Sequence, residues 1–255
     1  MGNTIQAELK LAKSKMIEET EYYDMTLVKL TRDNVAIVEA MIRNDSAYIH
    51  STNVNACPIY KKNGEIKYGG SSAYWMTLLK NALINDRLDD GYSYDEIIKG
   101  AVEAVDRENS THINADKQGR SEISSRIIEF DREELIKCLK DPDYKDMKLI
   151  REISRVTSAS YRARCNPSFA SKFCHYACFY VFEGTDYQDN YSIYDSILKK
   201  VLPFYLGFYK ISKKYDLNDY KDYRNAVDDI RKASGIEISR NGFDHLLWYY
   251  HKGRL

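Results

Sequence analysis

Only four prolines interrupt 255 residues, and that scarcity constrains the fold more than any other feature. Proline removes a backbone donor and clashes with the preceding helical turn, so a chain nearly free of it keeps long segments open to helix. Apolar residues recur at helical spacing through most of the chain. They predict helices over 5–24, 31–43 and 73–86, then 131–140, 145–160, 167–182, 192–214, 219–234 and 239–252. Another helix opens at "YSYDEIIKGAVEAV", where Ser93 stands three residues before Glu96 as in a capping box. The pattern breaks over 50–72, where "KNGE" separates two strand-like pieces, so one small β hairpin is expected near residues 55–70. The polar stretch 107–121 reads as a loop or a boundary. The expected fold is mostly α, with an N-terminal helical region over 1–122 and a helical core over 123–255.

Composition narrows the classes. Apolar residues make up 44%, enough for a sizeable core and too many for global disorder. No apolar run reaches the length of a membrane span, so no membrane partner is expected. The opening "MGNTIQAELKLAKSK" lacks the apolar stretch of an export signal, and Gln6 stands where a myristoylation signal has Ser or Thr. The five cysteines (Cys57, Cys138, Cys165, Cys174 and Cys178) are odd in number, which points to reduced thiols in a cytoplasm. Cys174 and His175 are sequence neighbours and point about a hundred degrees apart on a helix, so a zinc site there is disfavoured. No metal and no cofactor are expected.

Net charge is zero, yet 145–172 holds seven Lys or Arg against two acids. That local excess suits an anionic partner such as nucleic acid, and equally a solvated helix face.

Within that stretch begins "NPSFASKFCHYACFYVF", Asn166 to Phe182. Helical spacing puts Phe169, Phe173, Tyr176 and Tyr180 on a core face, with Lys172, His175 and Phe179 on the neighbouring stripe. A lysine on that shoulder can snorkel its head into water, or lose hydration and offer a neutral amine. Asp195 follows in "YSIYDS". Its spacing from Ser192 is that of a capping box with Asp in place of Glu, and a helix N-terminus favours an anion there. The same setting suits a carboxylate facing developing positive charge.

"RCNPSFASKF" followed by "YSIYDS" resembles the catalytic core of helix-hairpin-helix DNA glycosylases, the superfamily of the 8-oxoguanine, adenine and alkylated-base excision enzymes. The resemblance covers roughly 145–255, with a degenerate hairpin, since "CNPSFAS" has no glycine. It implies a helical glycosylase-like fold and double-stranded DNA as partner, with the base flipped into a pocket. Lys172 would be the nucleophile at the deoxyribose C1′, and Asp195 would stabilise the sugar cation. Arg155, Arg162, Arg164, Asn166, Ser168, Ser171 and His175 would contact the DNA, the last six lying in or beside the hairpin. Tyr191, Tyr194 and Trp248 would line the base pocket. An AP-lyase step would follow if Lys172 forms a Schiff base; if it only binds phosphate, Asp195 would activate water. The hairpin of the N-terminal half would shape the pocket or enter the duplex. The implied protein is a cytoplasmic monomer, nucleoid-associated in a prokaryote, serving repair or removing phage-modified bases in antiviral defence. Two other readings stay open: a non-catalytic helical DNA-binding protein, and an interaction protein in which Lys172 and Asp195 form an ion pair.

Overall fold

A computed structural model of the chain describes residues 17–44, 59–62, 65–109, 111–113, 118–156 and 164–253. These are mostly helical, with ten helices and three two-stranded antiparallel pairs among them. Two units emerge, one formed by Met1–Ile49 with Ser192–Leu255 and the other by His50–Tyr191. The division expected at 122/123 falls inside the second unit.

In the first unit, β1 (Glu19–Tyr22) pairs with β2 (Met25–Val28) in the register Glu19↔Val28 to Tyr22↔Met25. This corrects the helix expected over 5–24 at its C-terminal end; 5–16 lie outside the described residues. "ETEY" and "MTLV" place Leu27 and Val28 inside, and the turn puts Tyr23 at a φ of 54°. Such a turn ends any helix locally. Helix α1 (Arg32–Asn44) is capped by Thr31, whose hydroxyl accepts from the Asn34 N–H at 3.2 Å. Asn34 is buried and donates to the carbonyls of Glu18 and Lys29, tying α1 to both ends of the hairpin.

The second unit opens with β3 (Ile59–Lys62) and β4 (Glu65–Tyr68), the hairpin expected near 55–70. Helix α2 (Ser72–Ile84) follows and buries eight of its residues, Trp75 and Met76 completely. Helix α3 (Tyr94–Asn109) starts at the expected capping box, with the Ser93 N–H donating to Glu96 at 2.9 Å and the Glu96 N–H to Ser93 Oγ at 3.3 Å. Gly100 is required by a close approach, since a Cβ there would lie 2.3 Å from the Trp75 indole. The stretch 107–121 is partly helical: α3 runs to Asn109 and α4 (Gly119–Ile128) begins within it. Next come α5 (Arg132–Lys140) and the short α6 (Lys148–Ile153). The helix expected over 145–160 is shorter because Lys145, Asp146 and Met147 all take positive φ, and Arg155–Val156 then becomes strand β5. Strand β6 (Arg164–Cys165) pairs back onto β5 and leads into α7 (Pro167–Val181).

The first unit resumes with α8 (Ser196–Phe208), α9 (Tyr220–Ser234) and α10 (Arg240–His251). Helix α8 is shorter than the expected 192–214. The residues from Asn190 to Tyr194 are irregular, Asp195 itself is extended, and Lys210 at a φ of 55° closes the far end. Among the described residues, no helix is long and apolar enough to cross a membrane.

Candidate functional site

Asp195 is itself the N-cap of α8, with a carboxylate oxygen accepting from the Ile197 N–H at 2.7 Å. The capping box expected from Ser192 does not form. Ser192 is fully buried, and its hydroxyl has no hydrogen-bond partner among the described residues. The backbone leading to Asp195 is held instead by its own unit. Tyr220 donates its hydroxyl to the Ser192 carbonyl at 2.8 Å, and Tyr223 donates to the Ile193 carbonyl at 2.8 Å. The Ile193 N–H donates to Asp244, a buried carboxylate, at 2.7 Å. Burial pushes the Tyr223 phenol well above its ordinary value, so it stays protonated and keeps donating. Three buried side chains thus fix the two residues before Tyr194, which positions the Asp195 carboxylate from behind.

In the other unit, α7 buries a different face from the one expected. Phe169 and Phe173 are inside, but Ala170, Cys174, Ala177, Cys178 and Val181 complete the core side. Tyr176 and Tyr180 are only partly buried. The small residues Ala170, Cys174 and Ala177 let neighbouring helices approach closely, which rotates the core face away from the bulky tyrosines. Ser168, Lys172, Tyr176, Phe179 and Tyr180 therefore share one half-exposed face at helical spacing. Tyr176 lies one turn past Lys172 and donates its hydroxyl to Asn109 at 3.3 Å. Burial raises the Tyr180 phenol, which leaves it a neutral donor. The core tyrosines assigned from periodicity thus become a wall beside Lys172. The missed signal was the run of small residues on the opposite side of the helix.

Several residues expected to touch DNA do other work. Among the described residues, the paired strands β5 and β6 rather than a short helix-to-helix turn precede α7. Asn166 caps α7 by accepting from the Phe169 N–H at 3.0 Å and donates its amide to the Thr111 carbonyl at 2.9 Å, so both ends of its side chain serve the fold. Ser171 and His175 are buried, at 0% and 1% exposure, and buried side chains cannot meet a phosphate. His175 Nδ1 lies 3.0 Å from the Tyr191 carbonyl, which can only accept, so the proton sits on Nδ1. Ser168 remains half-exposed and Arg155 exposed. Arg162 and the Arg164 side chain lie outside the described residues.

The basic stretch is also less positive than its sequence. Lys145 and Lys148 both reach Glu134, at 3.0 and 2.8 Å, and Arg151 reaches Asp146 at 3.2 Å. Hydrogen bonds from Lys148 and Lys145 hold the Glu134 carboxyl below its usual range.

The aromatic candidates divide likewise. Tyr191 is buried and donates to the Cys138 carbonyl at 2.6 Å, and Tyr194 is buried with its ring 4.9 Å from that of Tyr223. Neither presents a face to a base. Trp248 is half-exposed, with Lys252 4.9 Å over its ring. Lys172 belongs to the second unit and Asp195 to the first. No family model, curated protein or solved structure matches the chain.

Proposed function

We propose that this chain is a DNA glycosylase that excises a damaged or modified base, phage-modified bases included, with Lys172 as nucleophile and Asp195 as the group that stabilises the sugar cation. The seating of Asp195 carries the reading. A carboxylate fixed by a helix N-terminus, with its approach backbone held by Tyr220, Tyr223 and Asp244, is preorganised for charge that develops outside the protein. Lys172 adds to this, half-buried on a face it shares with Tyr176 and Phe179. Tyr176 replaces Tyr191 as the aromatic offered to a flipped base, since it is half-buried where Tyr191 is buried.

In the reaction, the Lys172 amine attacks C1′ as the glycosidic C–N bond breaks. The base leaves with the bonding electrons and takes up a proton. The aminal opens to a Schiff base between Lys172 and the deoxyribose. Loss of a C2′ proton then expels the 3′ phosphate by β-elimination, and water releases the lysine. Asp195 stabilises the cation in the first step, takes the proton that the Lys172 nitrogen sheds after attack, and passes it to O4′ as the ring opens.

Borohydride trapping tests this directly. Duplexes carrying a panel of modified bases should yield a covalent protein–DNA adduct with the parent and none with Lys172→Gln. A parent protein that neither releases a base nor becomes trapped on any duplex would overturn the assignment.

A further inference from the structure

The stretch 196–214 carries five lysines, Lys199, Lys200, Lys210, Lys213 and Lys214, and no Asp or Glu. It is the helix that Asp195 caps, together with the segment that follows it. The exposed residues of α8 are Ser196, Lys200 and Pro203, so its outer face bears a lysine, a hydroxyl and a proline without any acid. Lys210, Lys213 and Lys214 are exposed as well. Lys199 is half-buried and donates to Asn218 at 3.0 Å. None of the five forms an ion pair with the described residues. This separates the stretch from 145–172, where Lys145, Lys148 and Arg151 are matched by Glu134 and Asp146.

Backbone geometry adds an independent observation. The Ile211 N–H donates to the Leu206 carbonyl at 2.8 Å and the Lys210 N–H to Gly207 at 3.0 Å, the paired bonds of a Schellman motif. Its left-handed residue is normally glycine, and here it is Lys210 at a φ of 55°. The helix end thus carries a strained lysine where glycine would relax the backbone. Lys200 and Lys210 stand ten positions apart. At helical rise that is about 15 Å, a length over which a duplex carries about nine charges.

We propose that the surface of 196–214 binds the phosphate backbone of DNA and docks the strand against the helix that carries Asp195. The proposal rests on the glycosylase reading for its choice of partner. Its phosphate contacts are sequence-independent and come from Lys200, Lys210, Lys213 and Lys214, with Lys199 held back against Asn218. The three paired cations of the other unit contribute little.

Fluorescence anisotropy with an unmodified duplex, over a range of salt concentrations, tests the surface apart from the chemistry. The quadruple variant Lys200→Gln, Lys210→Gln, Lys213→Gln, Lys214→Gln should bind more weakly. Its plot of log affinity against log salt should flatten by about 0.9 for each phosphate that is no longer neutralised, or about 3 to 4 in all. Lys145→Gln with Lys148→Gln should leave the slope unchanged. Lys210→Gly alone should raise the melting temperature and still flatten the slope by about 0.9, a combination that a purely structural lysine would not give. An unchanged slope in the quadruple variant overturns the proposal, as does a parent protein without affinity for the duplex. Loss of binding to vesicles rich in anionic lipid, with duplex binding intact, also overturns it and assigns the surface to a membrane. If the slope falls as expected while the parent traps no modified duplex, the surface stands and the glycosylase chemistry fails.

Discussion

In the proposed reading Asp195 has two separable tasks, and two substitutions part them. Its carboxylate caps α8 through the Ile197 N–H at 2.7 Å. Asp195→Ala removes the cap, at about 1 kcal/mol, and the favourable charge at the helix N-terminus, at about 0.5 kcal/mol. Asp195→Asn keeps a capping oxygen and loses only the charge. For a domain of this size each kcal/mol moves the melting temperature by about 2–4 °C, so Ala should lower it by about 3–6 °C and Asn by about 1–2 °C. Excision should not follow that order. Neither side chain can stabilise a sugar cation, so both variants should lose on the order of a hundredfold or more in rate. Single-turnover base release and thermal melting on the same purified proteins measure the two effects. An Asn variant that excises at the parental rate, or a pair whose rates track their melting temperatures, would refute a chemical role.

The support behind Asp195 should be equally measurable. Tyr220→Phe with Tyr223→Phe leaves two buried carbonyls unpaired and should cost about 1 kcal/mol for each bond, by urea denaturation. Excision should fall with it, and full activity would show that the held segment does not position the carboxylate. Gly100→Ala drives a methyl into the Trp75 indole and should cost about 1–3 kcal/mol without slowing excision at low temperature; a melting curve like the parent's would refute the close packing. Burial holds the His251 imidazole down to about 4 from its ordinary 6.5. The unfolded chain therefore takes up a proton that the folded chain refuses, and stability falls as pH drops from 6.5 towards 4. His251→Gln should flatten that part of the urea-midpoint profile, and an unaltered profile would refute the assignment.

Sequence periodicity was a reliable guide wherever a helix carries its own local signals. The Ser93–Glu96 box opens α3, Asp219 caps α9 by accepting from the Asp222 N–H at 3.0 Å, and "KNGE" separates β3 from β4. These depend on residues three or four apart, and the chain states them directly. Periodicity failed where backbone φ or packing decides. "EYYDMTLV" has apolar spacing open to helix or strand, and pairing with its own return strand selected strand. Lys145 to Met147 and Lys210 terminate helices through left-handed conformations that their residue types do not announce.

At the candidate site, the sequence by itself determined the lysine, the aspartate and the charge balance of each stretch. Tertiary structure decided what those residues are free to do. Asn166, Ser171 and His175 were absorbed into caps and core, because a buried polar group must find its partner inside the protein. Tyr176 was left half-buried because Ala170, Cys174 and Ala177 fill the core side of the helix. Lys145 and Lys148 met an acid brought near by folding, whereas no lysine of 196–214 forms an ion pair among the described residues. Net charge is a sum along the chain, but the field a partner meets depends on which charges the fold has already paired.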